Sequence, residues 1–240
     1  MSADDHRIPR TAIATAALAG AAYAGYALPA LAGAWSPLRA PLGVEDRTAD
    51  GRGYALTFDD GPHARGTPAV LELLAAERVS ASFFLVGEQI RRNPALAREV
   101  LAAGHEIALH CDRHRNLLRI APRQVREDIA RAEAAIGEAT GVAPRLYRPP
   151  YGVLNTAALR LANERGWRTL LWSHDGHDWQ ARASAESIAA KVTSGAEEGA
   201  VLLLHDADDY SAPDSWQRTL AALPAVIETM RARGIEPVLP

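Results

Sequence analysis

The sequence predicts an α/β fold, a barrel-like arrangement of seven strands with helical crossovers behind an N-terminal hydrophobic segment, and three observations carry that prediction. From Gly53 onward, short apolar runs alternate with amphipathic stretches, the pattern of repeated β-α units. Glycines stand where the amphipathic stretches should stop. Five short polar motifs stand where apolar runs end, and in a parallel sheet or barrel those ends converge on one face. Seven units are one short of a full barrel of ~250 residues. An open doubly wound sheet is the competing architecture.

Strands are expected at Tyr54–Phe58, Ser82–Val86, Glu106–Leu109, Arg145–Tyr147, Arg168–Trp172, Ala200–Leu204 and Ile235–Leu239. Thr67-Pro68 supplies a cap and a first-turn proline to a helix carrying Val70, Leu71 and Leu74, and Asn93-Pro94 opens another in the same way. Further helices are expected over Pro122–Thr140, Thr156–Arg165, Ala185–Ala196 and Asp214–Arg233, the last kinked or broken at Pro224. Gly104, Gly141, Gly166 and Gly234 mark helix ends.

With 240 residues, 48% of them hydrophobic, the chain can bury a substantial core. It divides into a leader or membrane anchor at residues 1–38, a linker at 39–52 and one main domain at 53–240. The net charge of -3 selects no polyanionic partner, and the arginines are dispersed, so no nucleic-acid partner is expected. Lys191 is the sole lysine, which argues against Schiff-base chemistry, and the sole cysteine, Cys111, excludes an intrachain disulfide.

Residues Thr11 to Leu38 carry no charged side chain, and Arg7 and Arg10 precede them. This resembles a signal sequence or signal anchor. Ala30-Leu31-Ala32 offers a small-residue cleavage site. Basic residues before the run favour an N-terminus left inside and a domain exported. The competing reading is an alanine-rich helix packed on the domain.

Asp59 and Asp60 end the first strand within Thr57-Phe58-Asp59-Asp60-Gly61-Pro62. Adjacent residues there point to opposite sides, so one can bind a metal while the other holds a water. Asp-Asp-Gly-Pro also suits a plain turn. His110 and His114 have the i, i+4 spacing that presents two imidazoles to one side, and with Asp60 they form a two-histidine, one-carboxylate set. Zinc is the first expectation for these donors, with cobalt, nickel, manganese or iron(II) also accepted. Arg148-Pro149-Pro150-Tyr151-Gly152, Asp175-x-x-Asp178-Trp179 and Leu203-x-His205 complete a set that suits a metal-assisted hydrolase. His105, His174 and His177 match no ligand position, and His63 stands at the mouth of the expected cleft.

Taken in order, TFDDGP, HxxxH, RPPYG, DGHDW and LLH resemble the polysaccharide deacetylases of the NodB-homology type, carbohydrate esterase family four, over about Gly53 to Leu239. The resemblance implies a distorted, seven-stranded, TIM-like (β/α) barrel and a divalent metal held by Asp60, His110 and His114. It implies Asp59 as general base, His205 as general acid, Arg148 paired with Asp59, and Asp178 orienting His205 and raising its pKa. The Tyr151 backbone N–H would be an oxyanion donor, and Trp179 and Leu203 would wall the acyl pocket. The role of Asp175 stays open. The chain departs from the family pattern at Cys111, where a hydroxyl residue is usual, which puts loop rigidity and metal choice in question.

The expected function is removal of N-acetyl groups from an amino-sugar polysaccharide, peptidoglycan- or chitin-like, by a monomer acting outside the cytoplasm and associated with the membrane through its N-terminal segment. The alternatives are an O-acetyl esterase acting on a xylan-like glycan, a non-catalytic glycan-binding protein, and an amidase for other substrates.

Overall fold

The computed structural model describes residues 10–240, with side chains from residue 15; residues 1–9, the start of the expected leader with Arg7, lie outside the described residues. Eight strands form one sheet: β1 (Val44–Glu45), β2 (Tyr54–Asp59), β3 (Ser82–Val86), β4 (Glu106–Cys111), β5 (Leu146–Tyr147), β6 (Arg168–Leu170), β7 (His174–Asp175) and β8 (Ala200–His205). Their order is β1-β6-β5-β4-β3-β2-β8-β7, every pair is parallel, and the ladder stays open between β1 and β7.

This half-barrel corrects the expected seven strands. Six of the seven appear, but Ile235–Leu239 contributes only an isolated bridge between Pro237 and Tyr54. Pro237 has no N–H to extend a ladder. Two unexpected strands, β1 and β7, have two residues each, too few to print an alternating pattern. β1 lies inside the segment expected as a linker and pairs with β6.

The helices are α1 (Arg10–Ala27), α2 (Leu31–Ala34), α3 (Gly66–Glu77), α4 (Gly87–Arg92), α5 (Pro94–Ala102), α6 (Pro122–Thr140), α7 (Thr156–Arg165), α8 (Ala185–Thr193) and α9 (Ser215–Ala232). Gly141 and Gly166 close α6 and α7 at φ 74° and 68°, conformations that glycine adopts without a Cβ penalty. α9 continues through Pro224 as one helix, so the chain is not broken there.

Alternation along the strands sorts the buried residues into two sets. Tyr54, Leu56 and Phe58 of β2 join the large core with residues of the helices, whereas Ala55 joins Phe84, Ala108, Leu146, Leu170 and Val201 in a small cluster inside the half-barrel. Two steps along from these inner residues stand Thr57 and Asp59, His110, Arg148, Trp172, and Leu203 and His205. The strand parity that packs small and branched side chains inside the sheet therefore delivers the chemistry to the same concave face. His205's neighbour Asp206 falls on the opposite side and accepts a hydrogen bond from Thr67 Oγ1 in α3.

That contact sets a close approach. A Cβ on Gly66 would lie 2.0 Å from the Asp206 carbonyl oxygen. Gly66→Ala should destabilise the fold by about 2–4 kcal/mol through forced backbone displacement; an unchanged urea midpoint would refute the contact.

Candidate active site

The site is assembled at the C-terminal ends of the strands. Asp59 is the last residue of β2, and its carboxylate takes a 2.7 Å ion pair from Arg148 Nη1. Arg148 is fully buried. Its Nη1 also donates to Thr57 Oγ1 at 3.0 Å, while Nε and Nη2 donate to the Leu170 and Leu171 carbonyls at 2.9 and 3.0 Å. The guanidinium lies 3.9 Å from the centroid of the Phe84 ring. Burial lowers its pKa while the Asp59 charge and hydrogen bond oppose that fall. Such a pair is expensive to break, because removing either partner strands a buried charge.

Asp60 turns away from its neighbour through a left-handed backbone, φ 78°, an unfavourable conformation for a residue with a Cβ. Its Oδ1 comes within 3.5 Å of His110 Nε2 and 3.4 Å of His114 Nε2. That oxygen is buried and has no hydrogen-bond partner among the described residues. Burial drives the carboxyl up to about 7; His205 opposes the rise, and Asp59, Asp206 and Asp178 add to it.

His110 Nδ1 lies 2.8 Å from the Arg148 carbonyl. A carbonyl only accepts, so Nδ1 carries the hydrogen and Nε2 presents its lone pair toward Asp60. Burial lowers the pKa of both imidazoles, His114 to about 2, with His110 and His205 adding to the fall at His114. Neutral imidazoles are the ligand form. A buried carboxylate oxygen without a partner, facing two neutral imidazole nitrogens, fits a divalent cation better than any hydrogen-bonding arrangement of these groups. The donor atoms of the three lie within 4.8 Å of one another.

Across the cleft, His205 Nδ1 lies 2.8 Å from Asp178 Oδ1, and the His205 backbone N–H donates to Asp178 Oδ2 at 2.7 Å. Thr219 Oγ1 donates to the same oxygen at 2.7 Å. Burial would raise the Asp178 carboxyl, but the His205 charge and these hydrogen bonds outweigh it and hold the pKa below the ordinary value. For His205 burial works downward, and Asp178, Asp60 and Asp59 outweigh it to raise the imidazole to about 10. The free edge, Nε2, lies 4.0 Å from Asp60 Oδ2.

A cavity of about 410 Å³ joins these groups and is lined by Asp59, Asp60, His110, His114, Tyr151, Trp172, Asp175, Trp179, Leu203, His205, Tyr210 and Ser211. Nine of the ten expected site residues are represented there or, like Arg148, lie directly behind it; Asp178, the tenth, stands behind His205. Tyr151 has φ 60°, and its ring meets His114 edge-on at 4.4 Å.

Three groups escaped the sequence reading. Trp172 stands just past β6 at the expected strand end, a position that could have flagged it. Tyr210 stacks on His114 at 4.6 Å, and its hydroxyl donates to Glu88 Oε1 at 2.6 Å. Only its place shortly after the Leu203-x-His205 motif hinted at it, as for Ser211.

His63 does not line the cavity. Its Nδ1 accepts from the Gly66 N–H at 2.9 Å, so its Nε2 carries a hydrogen toward Asp208, 3.4 Å away. The neighbouring His63, Asp208 and Asp209 cluster therefore presents no imidazole lone pair to a cation. Cys111 is buried, and burial raises its thiol well above the ordinary value. It is not among the three converging donors.

A raised folded pKa fixes the sign of the linkage. In metal-free protein the His205–Asp178 pair contributes stability that is complete below the unfolded histidine value near 6.5 and is lost as pH rises through about 10. Asp178→Asn removes the leading upward contribution and should move the His205 midpoint down to or below the ordinary histidine value. An imidazole NMR titration reads this, and an unmoved midpoint would show that Asp178 does not hold the proton.

Comparison with known proteins agrees with this geometry. A family model described as polysaccharide deacetylase matches residues 46–170. A chitooligosaccharide deacetylase of a Bradyrhizobium species is 37% identical over 192 residues, 77% of this chain and 87% of that protein. A peptidoglycan-N-acetylglucosamine deacetylase of Bacillus cereus is 36% identical over 182 residues, 75% of this chain and 82% of that protein. A crystallised peptidoglycan N-acetylglucosamine deacetylase, in complex with a naphthyl-substituted N-oxidanyl-benzamide, aligns with a TM-score of 0.76 and 30% identity over 82% of this chain and 90% of its own. The family match spans β2 to β6, the half of the fold that carries Asp59, Asp60, His110, His114 and Arg148, and the chain belongs to the polysaccharide deacetylase family.

Proposed function

We propose that the protein is a metal-dependent hydrolase that removes N-acetyl groups from an amino-sugar glycan of the peptidoglycan or chitin-oligosaccharide type. The observation that carries this reading is the unpartnered, buried Asp60 oxygen facing two neutral imidazoles, with a carboxylate on one side and a protonated imidazole on the other. The relatives act, by their names, on such glycans.

Asp60, His110 and His114 would hold the divalent ion, zinc first by donor type, with cobalt or nickel also suited. Bound there, the ion would supply Lewis-acid polarisation of the acetamide carbonyl and acidify a nucleophilic water. Asp59 accepts the proton that water gives up, and Arg148 fixes the carboxylate in place from behind. His205, kept protonated by Asp178, gives its proton to the departing amine, which is a poor leaving group without one. Leu203 and Trp179 wall the pocket for the acetyl methyl, and the Tyr151 N–H serves the developing oxyanion. The crystallised relative's ligand carries an N-oxidanyl amide, a group whose two oxygens can chelate a metal ion.

An apolar N-terminal helix without charge after Arg10 supports an activity outside the cytoplasm and at the membrane. Residues Thr15–Ala34 form a stretch long and apolar enough to cross a bilayer, with 11% of it buried against the domain. Residues 15–25 are exposed, which disfavours packing of that part of the helix on the domain, whereas the stretch from Tyr26 onward meets it.

Acetate release from peptidoglycan, chitooligosaccharides and acetylated xylan tests the substrate. Turnover is expected on the first two, to be lost on chelation and restored by zinc or cobalt; release from xylan alone would overturn the amide reading. Asp59→Asn should lower kcat by roughly 10²–10⁴-fold, because a carboxamide does not accept the proton. Cys111→Ser should leave metal affinity unchanged, and a large loss would bring the sulfur into the site.

A further inference from the structure

Residues 25 to 39 are joined to the loops that build the cleft. Tyr26 Oη accepts from Asn155 Nδ2 at 2.7 Å and lies 3.3 and 3.2 Å from the Leu117 and Ile120 carbonyls, to which it donates. Thr156 Oγ1 donates to the Gly25 carbonyl at 2.9 Å. A Cβ on Gly33 would lie 2.7 Å from the Gly152 carbonyl oxygen, so α2 approaches the loop of Tyr151 as closely as a glycine permits. Arg39 donates to the Ala32 carbonyl at 2.9 Å and to the Trp172 carbonyl at 3.3 Å, and it pairs with Asp46. Leu117 lies three residues past His114, Gly152 follows Tyr151, and Trp172 lines the cleft. Removing the segment would break contacts to the walls of the site.

The outer surface of the same segment has no protein partner to match its composition. Leu18, Tyr23, Leu28, Leu31 and Trp35 are each about half exposed or more. α1 has 18 residues, a rise of ~27 Å, and its last residues are docked on the domain, which leaves less than the ~30 Å hydrocarbon thickness. Leu28, Leu31 and Trp35 continue the apolar surface past the docked end, on the edge of the domain itself. No charge interrupts it between Arg10 and Arg39. Tyrosine and tryptophan at the end of an apolar helix are suited to the headgroup layer.

We propose that this segment is a permanent anchor rather than a removed leader, and that the edge formed by Leu28, Leu31 and Trp35 rests in the outer interface of a lipid bilayer. Tyr26 then couples the anchor to the loops carrying His114 and Tyr151, and the cleft is held at a fixed height above the membrane instead of on a free tether. The glycan it takes is the membrane-proximal one. This inference rests on the extracytoplasmic, membrane-associated reading above, but its tests read mass, amide exchange and fluorescence, so a failed deacetylation assay leaves them untouched.

The full chain, exported in a bacterial host, should be recovered from the membrane fraction with residues 2–240 intact by mass; soluble protein beginning at Gly33 would overturn the proposal. In vesicles of phosphatidylcholine with brominated acyl chains, tryptophan emission should be quenched, and Trp35→Phe should lose most of that quenching. Equal quenching in the variant would remove the domain edge from the bilayer. Tyr26→Phe keeps the anchor apolar while deleting the hydroxyl, and amide exchange at residues 117–120 and 155–158 should quicken about tenfold. Unchanged exchange would show that the anchor is not coupled to the cleft.

Discussion

Four of the six carboxylates buried among the described residues, Asp59, Asp60, Asp178 and Asp206, gather around the cleft, and the site depends on how their charges are offset. Burying an ionised carboxylate without a partner costs more than the net stability of most domains. Asp59 is matched by Arg148. Asp178 is matched by His205 and by two hydrogen-bond donors. Asp206 takes the Thr67 hydroxyl, and burial, opposed by that hydrogen bond, raises it to about 7, which lets it stand largely neutral below neutrality. Asp60 is the one left over. Its nearest groups are two imidazoles that burial pushes away from the charged form. Asp60 is thus the carboxylate whose offset is left to a proton or a cation, and removing either neighbouring ion pair would change that balance.

Much of this was legible in the sequence because the chemistry interrupts apolar runs. Asp59, His110, Arg148 and His205 are polar residues at the ends of strands whose earlier positions are buried, and a period of two assigns them to one face once the strands are placed. Helices α6 and α7 were legible to the residue, since proline, asparagine and glycine punctuate both ends. The edge strands were not. β1 and β7 are held by pairing with β6 and β8 rather than by any local pattern. Trp172 was visible at a strand end but carries no titratable group, and Tyr210 enters the site from a loop without periodicity. The contacts of Tyr26 join residues more than 90 positions apart, a separation at which no local rule operates.

Tyr210 shows how a loop residue can stiffen a histidine of the cleft from the side. His114 Nδ1 is buried without a hydrogen-bond partner, so this imidazole lacks the carbonyl contact that fixes His110. Its orientation comes instead from two rings, Tyr210 stacked on its face and Tyr151 against its edge. Glu88 and Gln89 of α4 hold the Tyr210 hydroxyl, and Arg92 faces Asp209 beside it at 3.6 Å. One histidine is thus oriented by a hydrogen bond and the other by packing. The second device is more open to repacking, because ring contacts tolerate small rotations that a hydrogen bond does not.

Two non-glycine residues in the left-handed region, Asp60 and Tyr151, both approach His114 in the cleft, and such conformations persist only where neighbours over-determine them. Arg148 is the common neighbour. Its guanidinium ties Thr57 and Asp59, immediately before Asp60, to the carbonyls of Leu170 and Leu171, while its own backbone precedes the two prolines that lead into Tyr151. One buried side chain thereby locks the end of β2 against the end of β6. Lysine could supply the charge but not the fork of donors that reaches both strands and the carboxylate together. The strain at Asp60 and Tyr151 and the burial of Arg148 are consequently one arrangement: four of the five guanidinium N–H groups are hydrogen-bonded in the dry interior, and those bonds hold the chain on either side of the two strained turns.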